Sequence, residues 1–191
     1  MTLTLADCTD GELASLALAG RQAAYRELMS RHKEPLFRLV RGTIGNADEA
    51  VDVTQEAFVA AFMALKRYDP ERPFRTWLSR IAINKCRDWA RRRAVRHFLT
   101  RTTPISDVFD LADDTASPET ETSDRAELVR VLAAMGRLPA NLREALVVRA
   151  IEGLSQSEAA EVLGISQKAV ETRLYRARSR LDEILGLVDE G

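Results

Sequence analysis

Apolar residues recur every three or four positions through most of the chain, which marks one face of an α-helix rather than the alternation of a strand. The stretch Thr9 to Glu12, TDGE, is a capping box, and it predicts a helix through Leu13, Leu16 and Ala17 that Gly20 stops. A second helix carries Tyr25, Leu28, Met29, Leu36, Leu39 and Val40, with Pro35 expected to break or bend it. Gly42 to Asn46 reads as a turn. From Asp48 a long helix runs to about Lys66, with Val51, Thr54, Phe58, Ala61, Phe62 and Leu65 along its apolar face. YDPERP is a loop, and FRTWLSRIAINKCRDWARRR is a further helix with Trp77, Ile81, Asn84 or Lys85, and Asp88 or Trp89 near successive turns.

The periodicity vanishes between Thr102 and Asp124, where Pro, Ser, Thr and acidic residues give the composition of a linker. It resumes near Ser123 with Leu128, Val131, Leu132 and Met135 on one face. Leu138-Pro139 ends that helix, and Leu142, Leu146, Val147 and Ile151 carry the next. The expected fold is therefore all-α. Two small helical domains, residues 1–95 and 124–191, are joined by a flexible acidic linker over 96–123.

The last helices have the most specific pattern. Ser155 to Glu158, SQSE, opens a short helix with Ala159, Ala160, Val162 and Leu163 as a second capping box. Gly164 supplies a left-handed turn position, Ile165 plugs between the helices, and Ser166 caps a second helix with Val170, Leu174, Ala177 and Leu181 inward. This order is that of a helix-turn-helix, whose second helix enters the major groove. Its outward face offers Gln167, Lys168, Glu171, Thr172, Tyr175 and Arg176. Arg176 suits guanine, Lys168 a base or a phosphate, and Arg173 and Arg178 phosphates. Glu171 repels phosphate. It reads either as a selectivity residue that accepts from a cytosine amino group, or as a helix-surface partner of Tyr175 or Arg178.

Charge sharpens this picture. The chain has 28 Lys and Arg against 29 Asp and Glu, a formal net charge of −1, so bulk attraction to polyanions explains nothing. The charges are partitioned: Arg72 to Arg93 is basic with Asp88 its single acid, and Ala94 to Asp124 is acidic. Two separate nucleic-acid contacts follow from that asymmetry. The 46% hydrophobic and 30% charged content is that of a folded, helix-rich protein. No stretch reaches the roughly 20 apolar residues of a membrane span, and no secretion signal is expected at the N-terminus. Cys8, Cys86, His32 and His97 are not spaced for a metal site or a nucleophilic triad, so no catalytic residue, metal or cofactor is expected.

Three features of the N-terminal half share one explanation. Asp52 and Glu56 stand four residues apart with Gln55 between them, away from Phe58, a face suited to a basic partner. Trp77 and Trp89 sit among cations, with Phe74 just upstream, and so combine stacking surfaces with phosphate neutralisation. A core role for either tryptophan fits the helical spacing as well. Asn84 lies in mid-helix in an apolar context, where it costs helix propensity and can read a base edge.

With those residues in view, the chain resembles the extracytoplasmic-function (ECF) class of bacterial sigma-70-type sigma factors. DEAVDVTQEAFVAAFMAL is similar to the family's region 2.2, PFRTWLSRIAINKCRDWARRR to regions 2.3–2.4, and the segment from Leu138 to Leu181 to regions 4.1 and 4.2. The resemblance implies a sigma region 2 bundle and a sigma region 4 helix-turn-helix in a promoter-specificity subunit without catalysis. It implies that Asp52, Gln55 and Glu56 dock on the β′ clamp of core RNA polymerase, which the β subunit also helps to hold. It implies −10 element contacts from Tyr68 in the YDPERP loop, Trp77, Asn84, Arg87 and Arg91. The −35 element would fall to Gln167, Lys168, Glu171, Thr172, Arg173, Tyr175, Arg176 and Arg178. An anti-sigma factor is the implied regulator, holding a cytoplasmic protein either in solution or at the membrane. No small-molecule substrate is implied.

Two other readings compete. A stand-alone helix-turn-helix regulator requires a dimerisation element and leaves the Asp52/Gln55/Glu56 face unexplained. A sigma mimic that titrates an anti-sigma factor would lose the basic DNA-reading residues, which this chain keeps.

Overall fold

The computed structural model describes residues 4–100 and 121–187. All regular structure among them is helical, in eight α-helices with short 3-10 and π turns between them. The first, α1 (Asp10–Leu18), starts where the capping box requires. Glu12 N–H donates to Thr9 Oγ1 at 3.2 Å, and Thr9 N–H donates back to Glu12 Oε2 at 2.6 Å. Arg31 fastens the segment before it to the next helix. Its guanidinium donates to the carbonyls of Leu5, Ala6 and Cys8 and reaches Asp10 at 3.2 Å and Glu27 at 2.8 Å.

Helix α2 (Gln22–Ile44) runs unbroken through Pro35, contrary to the expected break. The expected turn at Gly42–Asn46 is also narrower than the composition suggests. Gly42, Thr43 and Ile44 remain helical, and only Gly45 turns, at φ 79°, before Asn46 accepts from Glu49 N–H at 2.9 Å to cap the next helix. That helix, α3 (Ala47–Met63), buries Ala50, Val53, Thr54, Ala57, Phe58 and Ala61, while Val51 points outward. The inward stripe is thus displaced from the expected Val51 to Val53. After a 3-10 turn at Leu65–Arg67 and the YDPERP loop, α4 (Phe74–Thr100) spans 27 residues. Leu13, Leu28, Leu39, Val53, Phe74, Leu78 and Ile83 meet in the core of this four-helix unit. Each such side chain contributes roughly 1.5–3 kcal/mol by leaving water.

The second unit comprises α5 (Glu121–Gly136), α6 (Ala140–Leu146), a π turn (Val147–Ile151), α7 (Gln156–Leu163) and α8 (Gln167–Leu185). Leu128, expected on the inner face of α5, is half exposed, whereas Ala134, Met135 and Leu138 are buried. Helices α4 and α5 each extend into the segment read as linker, and its residues 101–120 lie outside the described residues. The two units share one continuous core, because α7 packs on α4 and the π turn packs on α2.

Candidate nucleic-acid and polymerase interfaces

The helix-turn-helix is built as its sequence predicts. Ser155 Oγ accepts from Glu158 N–H at 3.2 Å, and Glu158 Oε2 accepts from Ser155 N–H at 2.8 Å. Hydrogen bonds to the carboxylate from the Ser155 hydroxyl and the Ser155 N–H hold the Glu158 carboxyl below its ordinary range. Gly164 adopts φ 69°, and Ser166 Oγ accepts from Ala169 N–H at 3.1 Å to start α8. Val170 and Ala177 are fully buried, and Leu174 and Leu181 pack at the edge of the core. This packing turns Gln167, Lys168, Glu171, Tyr175, Arg176 and Arg178 to solvent, with Thr172 and Arg173 half-buried beside them. Glu171 meets Lys168 Nζ at 2.9 Å, a partner three residues back rather than the expected Tyr175 or Arg178. Thr172 spends its hydroxyl on the Lys168 carbonyl at 2.9 Å.

On α4, Trp77, Asn84 and Arg91 stand seven residues apart, so they share one stripe of the helix. Asn84 and Arg91 are exposed; the apolar neighbours of Asn84, Ala82 and Ile83, face inward without it. Trp77 is half-buried against Tyr68 and Phe74, with ring centroids 5.1 and 5.4 Å away. It is anchored in the core and still presents an edge. Tyr68 itself is buried, and its hydroxyl donates to the Arg72 carbonyl at 2.6 Å. Burial and the nearby Asp10 and Asp69 charges push that hydroxyl up to about 12. Tyr68 therefore shapes the loop from below. Trp89 is half-buried too; its indole N–H donates to Glu49, and the Arg93 guanidinium lies 5.4 Å from its ring centre.

Arg87 is differently placed. Its guanidinium forks onto Glu144 of α6, with Nε to Oε1 at 2.9 Å and Nη2 to Oε2 at 2.7 Å, and it also donates to the Leu163 carbonyl at 3.3 Å. On α3, Asp52 and Gln55 are exposed and Glu56 is half-buried, meeting Arg92 at 3.2 Å. The three carboxylates Glu49, Asp52 and Glu56 edge an open groove of about 780 Å³ between α3 and α4, floored by Val53 and Trp89. The described residues hold no group of three His, Cys, Asp or Glu suited to a metal ion. No helix among them is long and apolar enough to cross a membrane. His32 is held by Asp10 at 2.8 Å and packs on Phe74, a structural pairing that spacing alone does not reveal.

Comparison with known proteins gives this geometry its setting. The model of Sigma-70 region 2 matches residues 28–96, and that of Sigma-70 region 4 matches residues 128–181. The RNA polymerase sigma factor CnrH of Cupriavidus metallidurans is 44% identical over 179 residues, which cover 92% of this chain and 94% of that protein. The chain belongs to the sigma-70 family, in its ECF class. The ECF RNA polymerase sigma factor SigM of Mycobacterium tuberculosis is 34% identical over 183 residues, covering 96% of this chain and 88% of that one. The solved structure of CnrH in complex with the cytosolic domain of CnrY superposes with a TM-score of 0.67 at 38% identity, over 93% of this chain and 97% of that chain. Sigma-70 factors bind core RNA polymerase and promoter DNA to initiate transcription. The region 2 match ends within α4, so the grooved α3/α4 face and the Trp77–Asn84–Arg91 stripe both belong to it. The region 4 match spans the helix-turn-helix and its outward arginines.

Sequence reasoning missed the residues that join the two units. Glu144 and Glu152 are buried carboxylates inside an apolar run, and Gly42 is a glycine inside a helix. A charged residue in an otherwise inward-facing stretch was the available signal for the first two.

Proposed function

We propose that this sigma factor docks on the polymerase through Asp52, Gln55 and Glu56, and reads promoters with two separate helices. The carrying observation is that α3 presents Asp52 and Gln55 to solvent with Glu56 at their edge, and that Asp52 and Glu56 lie on the α3 wall of a groove whose α4 wall carries Arg91, Arg92 and Arg96. A basic coiled coil such as the β′ clamp would complement the α3 wall. Residues 1–95 form the docking and −10 unit, and residues 124–191 form the −35 unit, with the acidic segment 96–123 between them. Trp77, Asn84 and Arg91 form the −10 reading stripe, Tyr68 supports its loop, and Arg87 joins once released from Glu144. Extruding a base costs a few kcal/mol, which the loop and stripe must offset. On α8, Arg176, Lys168 and Gln167 face bases, Arg173 and Arg178 face phosphates, and Thr172 and Tyr175 flank them.

The protein works in the cytoplasm, where polymerase and DNA are, and an anti-sigma factor restrains it. The complex of CnrH with the cytosolic domain of CnrY, for a relative of this similarity, supports a protein partner for this chain. A pull-down of core polymerase tests the docking surface. Binding by the native chain, lost in the double variant Asp52→Arg, Glu56→Arg, is the expected result. Undiminished binding by that variant would remove α3 from the polymerase interface.

A further inference from the structure

The tip of the YDPERP loop rests on α1 at a place where α1 has no side chain. Gly11 lies in the first turn of that helix, where alanine would favour the helical state. A Cβ at Gly11 would stand 3.1 Å from both Pro70 Cβ and the Pro70 carbonyl oxygen. It would therefore push the tip away by a few tenths of an ångström. Close approach of the loop, rather than the needs of the helix, accounts for the glycine.

The loop holds its own shape. Arg72 N–H donates to the Asp69 carbonyl at 3.0 Å, and Glu71 N–H donates to Asp69 Oδ1 at 3.1 Å. The Tyr68 hydroxyl closes the loop on the Arg72 carbonyl. These bonds are internal, so they fix the loop's form and leave its position to contacts with the body. Arg72 also meets Glu161 at 2.9 Å, but a pair 60% and 35% exposed holds little.

The residue before Gly11 bears on the loop's other end. Asp10 divides its two oxygens: Oδ1 takes Arg31 at 3.2 Å, and Oδ2 accepts from His32 Nε2 at 2.8 Å. His32, buried on α2, packs on Phe74 with ring centroids 5.1 Å apart. Phe74 stands edge-on to Tyr68 at 5.1 Å, and Trp77 touches both rings. Two consecutive residues of α1 thus support the loop at its tip and at its aromatic root.

We propose that α1 positions the YDPERP loop for the −10 element: Gly11 sets the height of the tip, and Asp10, through His32, orients the Tyr68–Phe74–Trp77 root. Asp10, Gly11 and His32 are positioning residues that act through the loop. The inference rests on the −10 reading above, and two measurements separate the seat from that reading. The first is a double-mutant cycle on the full chain in urea, without polymerase or DNA. Gly11→Ala should raise the folding equilibrium constant by at least about 2-fold more in a Pro70→Gly background than in the native one. The second is transcription by the holoenzyme from a template pool with randomised upstream DNA, read by sequencing the transcripts. A shift of a few tenths of an ångström should lower preference at −10 positions by about 4-fold, with −35 preference unchanged. Asp10→Ala should do the same, and Asp10→Asn, which keeps an oxygen for His32, should restore the native preference. No coupling between residues 11 and 70, or an equal loss at both elements, would overturn the positioning role. Coupling with an unchanged −10 preference would overturn the −10 reading, and the positioning role with it, while the seat stands. If Gly11→Ala fails to fold, Asp10→Ala against Asp10→Asn decides: equal −10 preference in the two refutes the role, and loss confined to Asp10→Ala supports it.

Discussion

Replacing Glu171 with glutamine separates two roles that the structure allows to this carboxylate. Its ion pair with Lys168 is 2.9 Å long, and the two side chains are 58% and 81% exposed. In water such a separation is worth about 1.4 kcal/mol of Coulomb energy. Side-chain ordering and salt reduce exposed pairs to roughly 0.2–1 kcal/mol. Glu171→Gln should therefore shift unfolding stability by under about 0.5 kcal/mol. A carboxylate that accepts from a cytosine amino group is worth far more to recognition, about 1–3 kcal/mol, or a 5- to 150-fold loss of discrimination at one base pair. Removing its charge also relieves repulsion from phosphates, so affinity for unrelated duplexes should rise. The assay is fluorescence anisotropy of the holoenzyme on −35 duplexes varied one position at a time, beside a urea titration of the free chain. Loss of discrimination at one position with unchanged stability is the expected pair of results. An equal change on every duplex would make Glu171 a mere partner of Lys168 and refute its selectivity role.

Three further outcomes follow from the same geometry. The Glu158 carboxyl is lowered from its ordinary 4.5 by bonds to Ser155, so its contribution is full above pH 4.5 and lost as pH falls through the lower folded value. Ser155→Ala should cost about 1 kcal/mol at pH 7, and an acid titration followed by circular dichroism should show Glu158→Gln flattening that stretch of the stability curve. Burial pushes the Cys86 thiol up to about 12, so a thiol reagent at pH 8 should modify half-buried Cys8 and spare Cys86 until the chain unfolds. Comparable rates at both would show that α4 opens readily. Arg31→Met removes four anchoring contacts from residues 5–10; hydrogen exchange should then speed up at residues 5–10 while α3 keeps its protection.

How much of this was legible in the sequence depended on the range of the interaction. Caps and turns are local: Thr9 with Glu12, Ser155 with Glu158, Ser166 and Gly164 all sit where their residue types require. Inner faces were less certain, because α3 is apolar on several sides and Val51 and Val53 differ by only two positions. Leu128 likewise fits the spacing of α5 and yet stays half exposed. Gly42 was misread as a turn residue because Gly45 and Asn46 follow it. A glycine kept for a helix-to-turn approach from residue 147 has the same local appearance as one kept for a turn. The hydrogen-bonded ion pairs between the two units join residues 57 to 89 positions apart, and nothing near Arg87 or Arg72 in the chain announces them.

The central claim is that this chain gives core RNA polymerase its promoter specificity through an acidic α3 face and two DNA-reading helices. Run-off transcription with purified core polymerase, on a template carrying the DNA upstream of the protein's own coding sequence, tests it most directly. The account predicts a defined transcript that appears only when the chain is added and that disappears with Asp52→Arg, Glu56→Arg or with Arg176→Ala on a weakened −35 element. Core polymerase that binds the chain yet starts no transcript, or a transcript unchanged by all of these substitutions, would contradict it.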